Sequence, residues 1–243
     1  MIKTKSLKRS VDSKVLFNDI NLELPSNQIT GLLGANGAGK TSLFRAIAGL
    51  SNVDSGQLTF FDKNLINMSL EERATAGLSY VPQENSLFED LTLIDNLMAV
   101  VELKFGHITD SKNKESESLL KKMSLFEKKD IKAKNLSGGE KRKTEILRAI
   151  LLESKFILLD EPFAGVDPIS VEEINKILKD LKKDVGIFIS DHNFRDVINV
   201  CDLVILLNQG EVLMQGTPNE VKNDPIAKKF YFGELNYNNN PVK

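Results

Sequence analysis

Nine consecutive residues, Gly34-Ala35-Asn36-Gly37-Ala38-Gly39-Lys40-Thr41-Ser42, combine the residue types that hold a phosphate chain. The glycines let main-chain amides turn inward around phosphate oxygens, Lys40 can neutralise β/γ oxygens, and the Thr41 hydroxyl can ligate Mg²⁺. Before this run, Gln28–Leu33 reads as a buried strand. After it, Thr41–Ala48 reads as a helix with Leu43, Phe44 and Ile47 inward and Gly49 as its C-cap. A loop of this kind presents free amides and the positive end of a helix dipole to an anion. An ordinary glycine-rich turn is the alternative, but it does not account for the strand–loop–helix context.

A second constellation lies about a hundred residues on. In Leu136-Ser137-Gly138-Gly139-Glu140, Ser137 can N-cap a helix, and the glycine pair permits close approach to the helix's free amides. A merely well-capped helix would need no glycine pair. Together the two segments resemble the P-loop and signature of the ABC (ATP-binding cassette) ATPases, and the resemblance covers essentially the whole chain. It implies an α/β P-loop NTPase core with an antiparallel β subdomain and an inserted α-helical subdomain. It also implies ATP and Mg²⁺ as ligands and a head-to-tail homodimer. There Ser137, Gly138, Gly139 and Glu140 of one subunit would meet ATP held by residues 34–42 of the other.

The resemblance assigns further roles residue by residue. Phe156-Ile157-Leu158-Leu159-Asp160-Glu161 is similar to the family's Walker B strand, so Asp160 would hold Mg²⁺ through water and Glu161 would polarise the attacking water. Gln83 matches the Q-loop glutamine that reaches both the metal and that water. His192 matches the switch histidine at the γ-phosphate, and Asp167 the D-loop aspartate that crosses the dimer. Outside this family the same residues would be a helix-capping acidic pair, a loop glutamine, a structural histidine and a turn aspartate. His107 has no catalytic counterpart. One family element is missing: Lys8–Ser13 carries no aromatic ring to stack on adenine. Val11 aligns with that position and offers apolar contact only.

Periodicity and capping signals outline the elements that must carry these residues. Residues 1–83 read as β-rich, with strands near Val15–Phe17, Gln57–Phe61 and Leu78–Val81. Residues 85–153 read as the inserted helical subdomain. One helix is opened by Thr92-x-x-Asp95, a second spans Ser116–Ser124, and a third begins at Ser137. Strand Phe156–Leu159 follows, then a helix for which Ser170-x-x-Glu173 reads as a capping box, then strand Ile187–Ile189. Leu203–Leu207 and Val212–Met214 read as a hairpin around Asn208-Gln209-Gly210. Thr217-Pro218-Asn219-Glu220 combines an N-cap, an N1 proline and a capping box. Residues 236–243 read as a flexible tail.

The 243 residues suit a single ABC ATP-binding domain over 1–243. A net charge of −2 gives no basic excess for a nucleic-acid backbone, so Lys121-Lys122 and Lys128-Lys129 read as solvated faces. Cys201 alone cannot make an intramolecular disulfide, and with only two histidines there is no structural zinc set. The longest aliphatic run, Leu203–Leu207, falls far short of the ~18–20 residues that cross a bilayer, so no direct membrane insertion is expected.

Finer resemblance is carried by Phe156–Val171, Ser190–Asp196 and Asp95–Val100, with Phe163 and Val166 distinctive. These segments are similar to the ATPase subunits of lipopolysaccharide-export transporters. This implies a cytoplasmic homodimer, peripheral on the inner membrane, that works beneath two polytopic membrane subunits. Phe88 would then be the partner-binding residue, in a groove that receives a short helix from each membrane subunit; a core phenylalanine is the alternative. The ATPase of a branched-chain amino-acid importer is the runner-up. A soluble chromosome- or ribosome-acting ABC ATPase would need a long coiled coil or a second cassette.

Overall fold

The computed structural model describes residues 1–229, so the expected tail at 236–243 lies outside the described residues. The chain opens with β1 (Ile2–Val11), β2 (Lys14–Leu24) and β3 (Ile29–Leu33), then α1 (Lys40–Ala48), β4 (Ser55–Phe60) and β5 (Lys63–Asn64). Next come α2 (Leu70–Thr75), β6 (Leu78–Val81), α3 (Leu93–Phe105), α4 (Asp110–Lys122) and α5 (Gly138–Leu151). The last third holds β7 (Phe156–Asp160), α6 (Pro168–Leu181), β8 (Gly186–Asp191), α7 (Phe194–Val200), β9 (Leu203–Asn208), β10 (Glu211–Gly216), α8 (Pro218–Asn223) and the short α9 (Pro225–Ala227).

Two sheets organise these elements. The smaller is antiparallel in the order β2-β1-β4-β5, and the larger has the order β10-β9-β3-β8-β7-β6. Within the larger sheet β9, β3, β8, β7 and β6 run parallel, and β10 pairs antiparallel at the edge. Parallel strands carry their following loops on one edge of the sheet, where α/β folds bind ligands. The loops after β3, β6, β7 and β8 therefore all open on that edge. The expected hairpin is present, its Gln209-Gly210 turn in the left-handed conformation (φ 48° and 81°) that suits strand twist.

Alternation along the central strands sorts their side chains into two cores. Leu32, Phe156, Leu158, Phe188 and Ile205 face α1 and the antiparallel sheet, where Phe44 stacks on Phe188 at 4.6 Å. Ile29, Leu33, Ile157, Leu159, Ile187 and Ile189 face the other way, toward a cluster that includes residues of α3–α7. Each such fully buried aliphatic or aromatic side chain contributes about 1.5–3 kcal/mol over leaving it exposed, before entropy is counted. Arg73 of α2 locks the far end of α1: its guanidinium donates to Ala46 O and Ile47 O at 2.7 Å, to Met68 O at 3.0 Å and to Leu65 O. Burial lowers its pKa to about 10, while the negative end of the helix dipole welcomes the cation.

Two expected helix starts are corrected. The helix expected over Ser116–Ser124 begins at Asp110, where the Thr109 hydroxyl accepts from Lys112 N; a charged run hid its first turns from a reading based on apolar spacing. The expected Ser170/Glu173 capping box does not form. Asp167 is the N-cap of α6 and accepts from Ser170 N at 3.0 Å, with Pro168 at the first helical position. Glu173 instead pairs with the buried Lys143 at 2.6 Å. Caps expected at Thr92, Ser137 and Thr217 are all present.

Candidate functional site

The loop between β3 and α1 carries Gly34–Gly39 at the sheet's C-terminal edge. Gly39 is the N-cap of α1 and supplies no side-chain cap, so the first-turn amides are left for another acceptor. Its φ of 103° and the Leu16 carbonyl 2.4 Å from a would-be Cβ leave room for glycine alone. Lys40 is buried and donates to Gly34 O at 2.7 Å and Ala35 O at 3.2 Å, which folds its ammonium over its own loop. Burial lowers its pKa, against the opposing pull of Glu161, Asp191 and Asp160. An anion entering the loop would offset that desolvation by favouring the charged ammonium.

Asp160, at the end of β7, is fully buried. The hydroxyl of Ser190, its register partner on β8, donates to Oδ1, and the hydroxyl of Tyr80 on β6 donates to Oδ2 at 3.2 Å. Burial, with Asp160 beside it, raises the Tyr80 phenol, so it stays a neutral donor. Glu161 follows with φ 45°, a left-handed conformation that costs a non-glycine residue about 1–3 kcal/mol. Hydrogen bonds from Glu161 N to Ser190 O (2.8 Å) and Ser190 Oγ (3.3 Å) hold that turn.

Glu161 Oε2 is the meeting point of the site. It accepts from Gln83 Nε2 at 3.0 Å and lies 3.3 Å from His192 Nδ1. Gln83 comes from the loop after β6 and His192 from the loop after β8. The structure thus brings together three residues that are far apart in the chain, Gln83 and Glu161 by 78 positions. The His192 loop is set by Asp191, whose Oδ1 accepts from His192 N at 2.7 Å and Asn193 N at 2.8 Å. Burial raises the Asp191 carboxyl's pKa, and its Oδ2 has no hydrogen-bond partner among the described residues.

The oxygen set of Thr41, Asp160 and Gln83 suits a hard cation such as Mg²⁺. Among the described residues no cluster of three His, Cys, Asp or Glu could cage a metal alone. Such an ion would therefore complete its shell with phosphate oxygens and water, as Mg²⁺ does in phosphate-handling sites.

Ser137–Glu140 stand elsewhere. Ser137 caps α5 through Glu140 N, and Glu140 Oε2 accepts from Ser137 N at 2.9 Å, a reciprocal capping box. The glycine pair divides its work: Gly138 is exposed, whereas Gly139 is buried with Ser170 Oγ only 2.4 Å from a would-be Cβ. Gly139 thus lets α5 pack against the Asp167–Ser170 turn. Among the described residues no hydrogen bond or ion pair joins 137–140 to 34–42 within the chain.

Arg142, one turn into α5, was not singled out by sequence. It is buried and donates to Pro82 O (2.6 Å), Asp160 O (2.6 Å), Pro162 O (3.3 Å) and Glu145 Oε2 (3.0 Å). It therefore ties the signature helix to the Gln83 loop and the Asp160–Glu161 turn. Its only sequence signal was a charged residue on a face of α5 that proves to be buried.

Phe88 is 48% exposed, which sets aside the core alternative. Its main chain is pinned by the buried Asn96, which accepts from Phe88 N at 2.8 Å and donates to Phe88 O at 3.0 Å. The ring lies 5.5 Å from the Arg148 guanidinium and lines a groove of about 360 Å³ with Leu91, Ala99, Glu102 and Leu103. Val11 ends β1 and is 41% exposed, beside the Asp12-Ser13 turn. Among the described residues no helix is long and apolar enough to cross a membrane.

Comparison with known proteins adds to this geometry. The profile of the ABC transporter family matches residues 17–164. The lipopolysaccharide export system ATP-binding protein LptB of Haemophilus influenzae is 40% identical over 235 residues, covering 96% of this chain and 98% of its own length. LptB of Escherichia coli K12 is 38% identical over 231 residues, covering 95% and 96%. A solved cassette of an ABC transporter, MJ1267 in its ADP conformation, superposes with a TM-score of 0.86 at 25% identity over 96% of this chain and 99% of that one. The dimeric bacterial ABC transporter cassette MJ0796 shares the fold, with a TM-score of 0.82 at 22% identity over 90% and 99%.

Proposed function

The chain belongs to the ABC transporter family and is an ATP-hydrolysing cassette, and we propose that it powers lipopolysaccharide export from the inner membrane. Near-full-length likeness to LptB proteins supports the substrate class. The convergence of Gln83 and His192 on Glu161 Oε2 is the observation that carries the chemistry.

In this reading residues 34–42 wrap the triphosphate, and Lys40 exchanges its bonds to Gly34 O and Ala35 O for phosphate oxygens. Thr41, Gln83 and, through water, Asp160 would hold Mg²⁺, which would supply charge neutralisation at the phosphates. Glu161 accepts the proton of the attacking water, and its strained backbone aims the carboxylate at that position. His192 donates to the γ-phosphate, held in place by the Asp191 turn.

The signature residues Ser137, Gly138, Gly139 and Glu140 act on ATP bound by a second copy, which makes the working unit a homodimer. Residues 85–153 form the helical subdomain, and its Phe88 groove receives a short helix from each of two polytopic membrane subunits. The cassette thus lies on the cytoplasmic face without entering the bilayer. Purification from native membranes tests this reading: two polytopic chains should accompany the protein, and the reconstituted complex should release lipopolysaccharide only with ATP. Partners of an amino-acid importer, or no membrane chain at all, would overturn it.

A further inference from the structure

The signature helix carries an electrostatic conflict. Its N-terminus has to attract a polyanion, yet Glu140 in its first turn places a carboxylate there. Lys128 resolves it. This lysine ends the one-turn helix Phe126–Lys128 that follows α4, and its ammonium forms an ion pair with Glu140 Oε1 while Glu140 Oε2 accepts from Ser137 N. Burial works against charge on Glu140, but Lys128 and the Ser137 amide outweigh it and hold the carboxyl below its usual range, so it is ionised at neutral pH. Glu140 is mostly covered and Lys128 half exposed, so the cation is the member of the pair that meets solvent.

We propose that Lys128 is a positioning residue for ATP-driven dimerisation: by neutralising Glu140 and holding it in the capping box, it keeps the signature face attractive to the partner's triphosphate. The proposal rests on the reading that the signature meets ATP of a second copy. It adds a residue outside the signature motif, one that the sequence reading placed, with Lys129, on a solvated face. An unpaired carboxylate within several ångströms of a triphosphate opposes it at the high dielectric of a surface by an amount that corresponds to about tenfold in affinity.

The test uses full-length protein carrying Glu161→Gln, so that ATP is not consumed, with light scattering to follow dimer formation against ATP concentration. Lys128→Met keeps most of the length of the side chain and removes its charge. It should raise the ATP needed for half-maximal dimerisation about tenfold in low salt, and 0.5 M salt should narrow the gap as screening shortens the interaction range. Adding Glu140→Gln removes the charge that Lys128 offsets, so on that background Lys128→Met should change nothing further. Equal losses on both backgrounds, or no loss on either, would overturn the proposal. Gly138→Asp separates the two layers, because an aspartate at the first helical position suits the helix but repels a phosphate. If Gly138→Asp blocks dimerisation while Lys128→Met does not, the signature reading stands and Lys128 has no part in it. If Gly138→Asp dimerises normally, or the Glu161→Gln protein forms no dimer with ATP, both fall.

Discussion

Gln83 Nε2 donates to Glu161 Oε2 at 3.0 Å, so the loop that leads toward the Phe88 groove is bonded directly to the carboxylate at the centre of the site. Motion of that loop therefore changes the bonding of the group assigned to the attacking water. In the proposed reading, this bond is a physical route between partner docking and hydrolysis.

Glu161→Gln should preserve ATP binding and lower hydrolysis by at least about a hundredfold, because an amide retains the shape but cannot accept the proton. A long-lived ATP dimer should accumulate on size-exclusion chromatography. Phosphate release near the wild-type rate would remove Glu161 from the mechanism.

Arg142→Met should destabilise the fold by about 3–5 kcal/mol, since it leaves Glu145 buried without its cation. Three carbonyls, of Pro82, Asp160 and Pro162, lose a donor as well. Urea unfolding measures this directly. A loss under 1 kcal/mol would mean that water replaces the guanidinium at little cost.

Phe88→Ala should leave a folded protein with ATPase activity of its own, because the ring is half exposed and Asn96 holds the loop through its main chain. Co-purification of membrane subunits and ATP-driven lipid release should both fall. Normal assembly by a folded variant would end the docking assignment.

Val11→Tyr should tighten ATP binding by about 0.5–1.5 kcal/mol if the new ring stacks on adenine. Titration with ATP and GTP reads both affinity and base preference. Unchanged affinity for both would show that the exposed end of β1 does not face the base.

Cys201 should resist thiol reagents in the native protein at pH 8, because burial raises its thiol pKa far above that pH and closes access. Reaction should become stoichiometric in denaturant. Rapid native modification would reveal opening of α7 away from β3, the strand whose Gly31 lies against the Cys201 sulfur.

The sequence determined what is decided over a few residues. Caps at Thr92, Ser137 and Thr217 and the turn at Gln209-Gly210 all follow from contacts between near neighbours in the chain. Even there, Asp167 and Ser170 could each cap α6; Pro168, which suits the first helical position, favours the start that formed. Tertiary structure decided the rest. Strand order put Gln83, Glu161 and His192 on one edge of the sheet, and packing turned Arg142 inward and left Phe88 outward. Helical and strand periods report that a side chain has a face, but which neighbour covers that face depends on contacts between distant segments. For that reason the nucleotide loop was legible in the sequence, whereas the Lys128–Glu140 pair and the Arg142 network emerged only when the chain was folded.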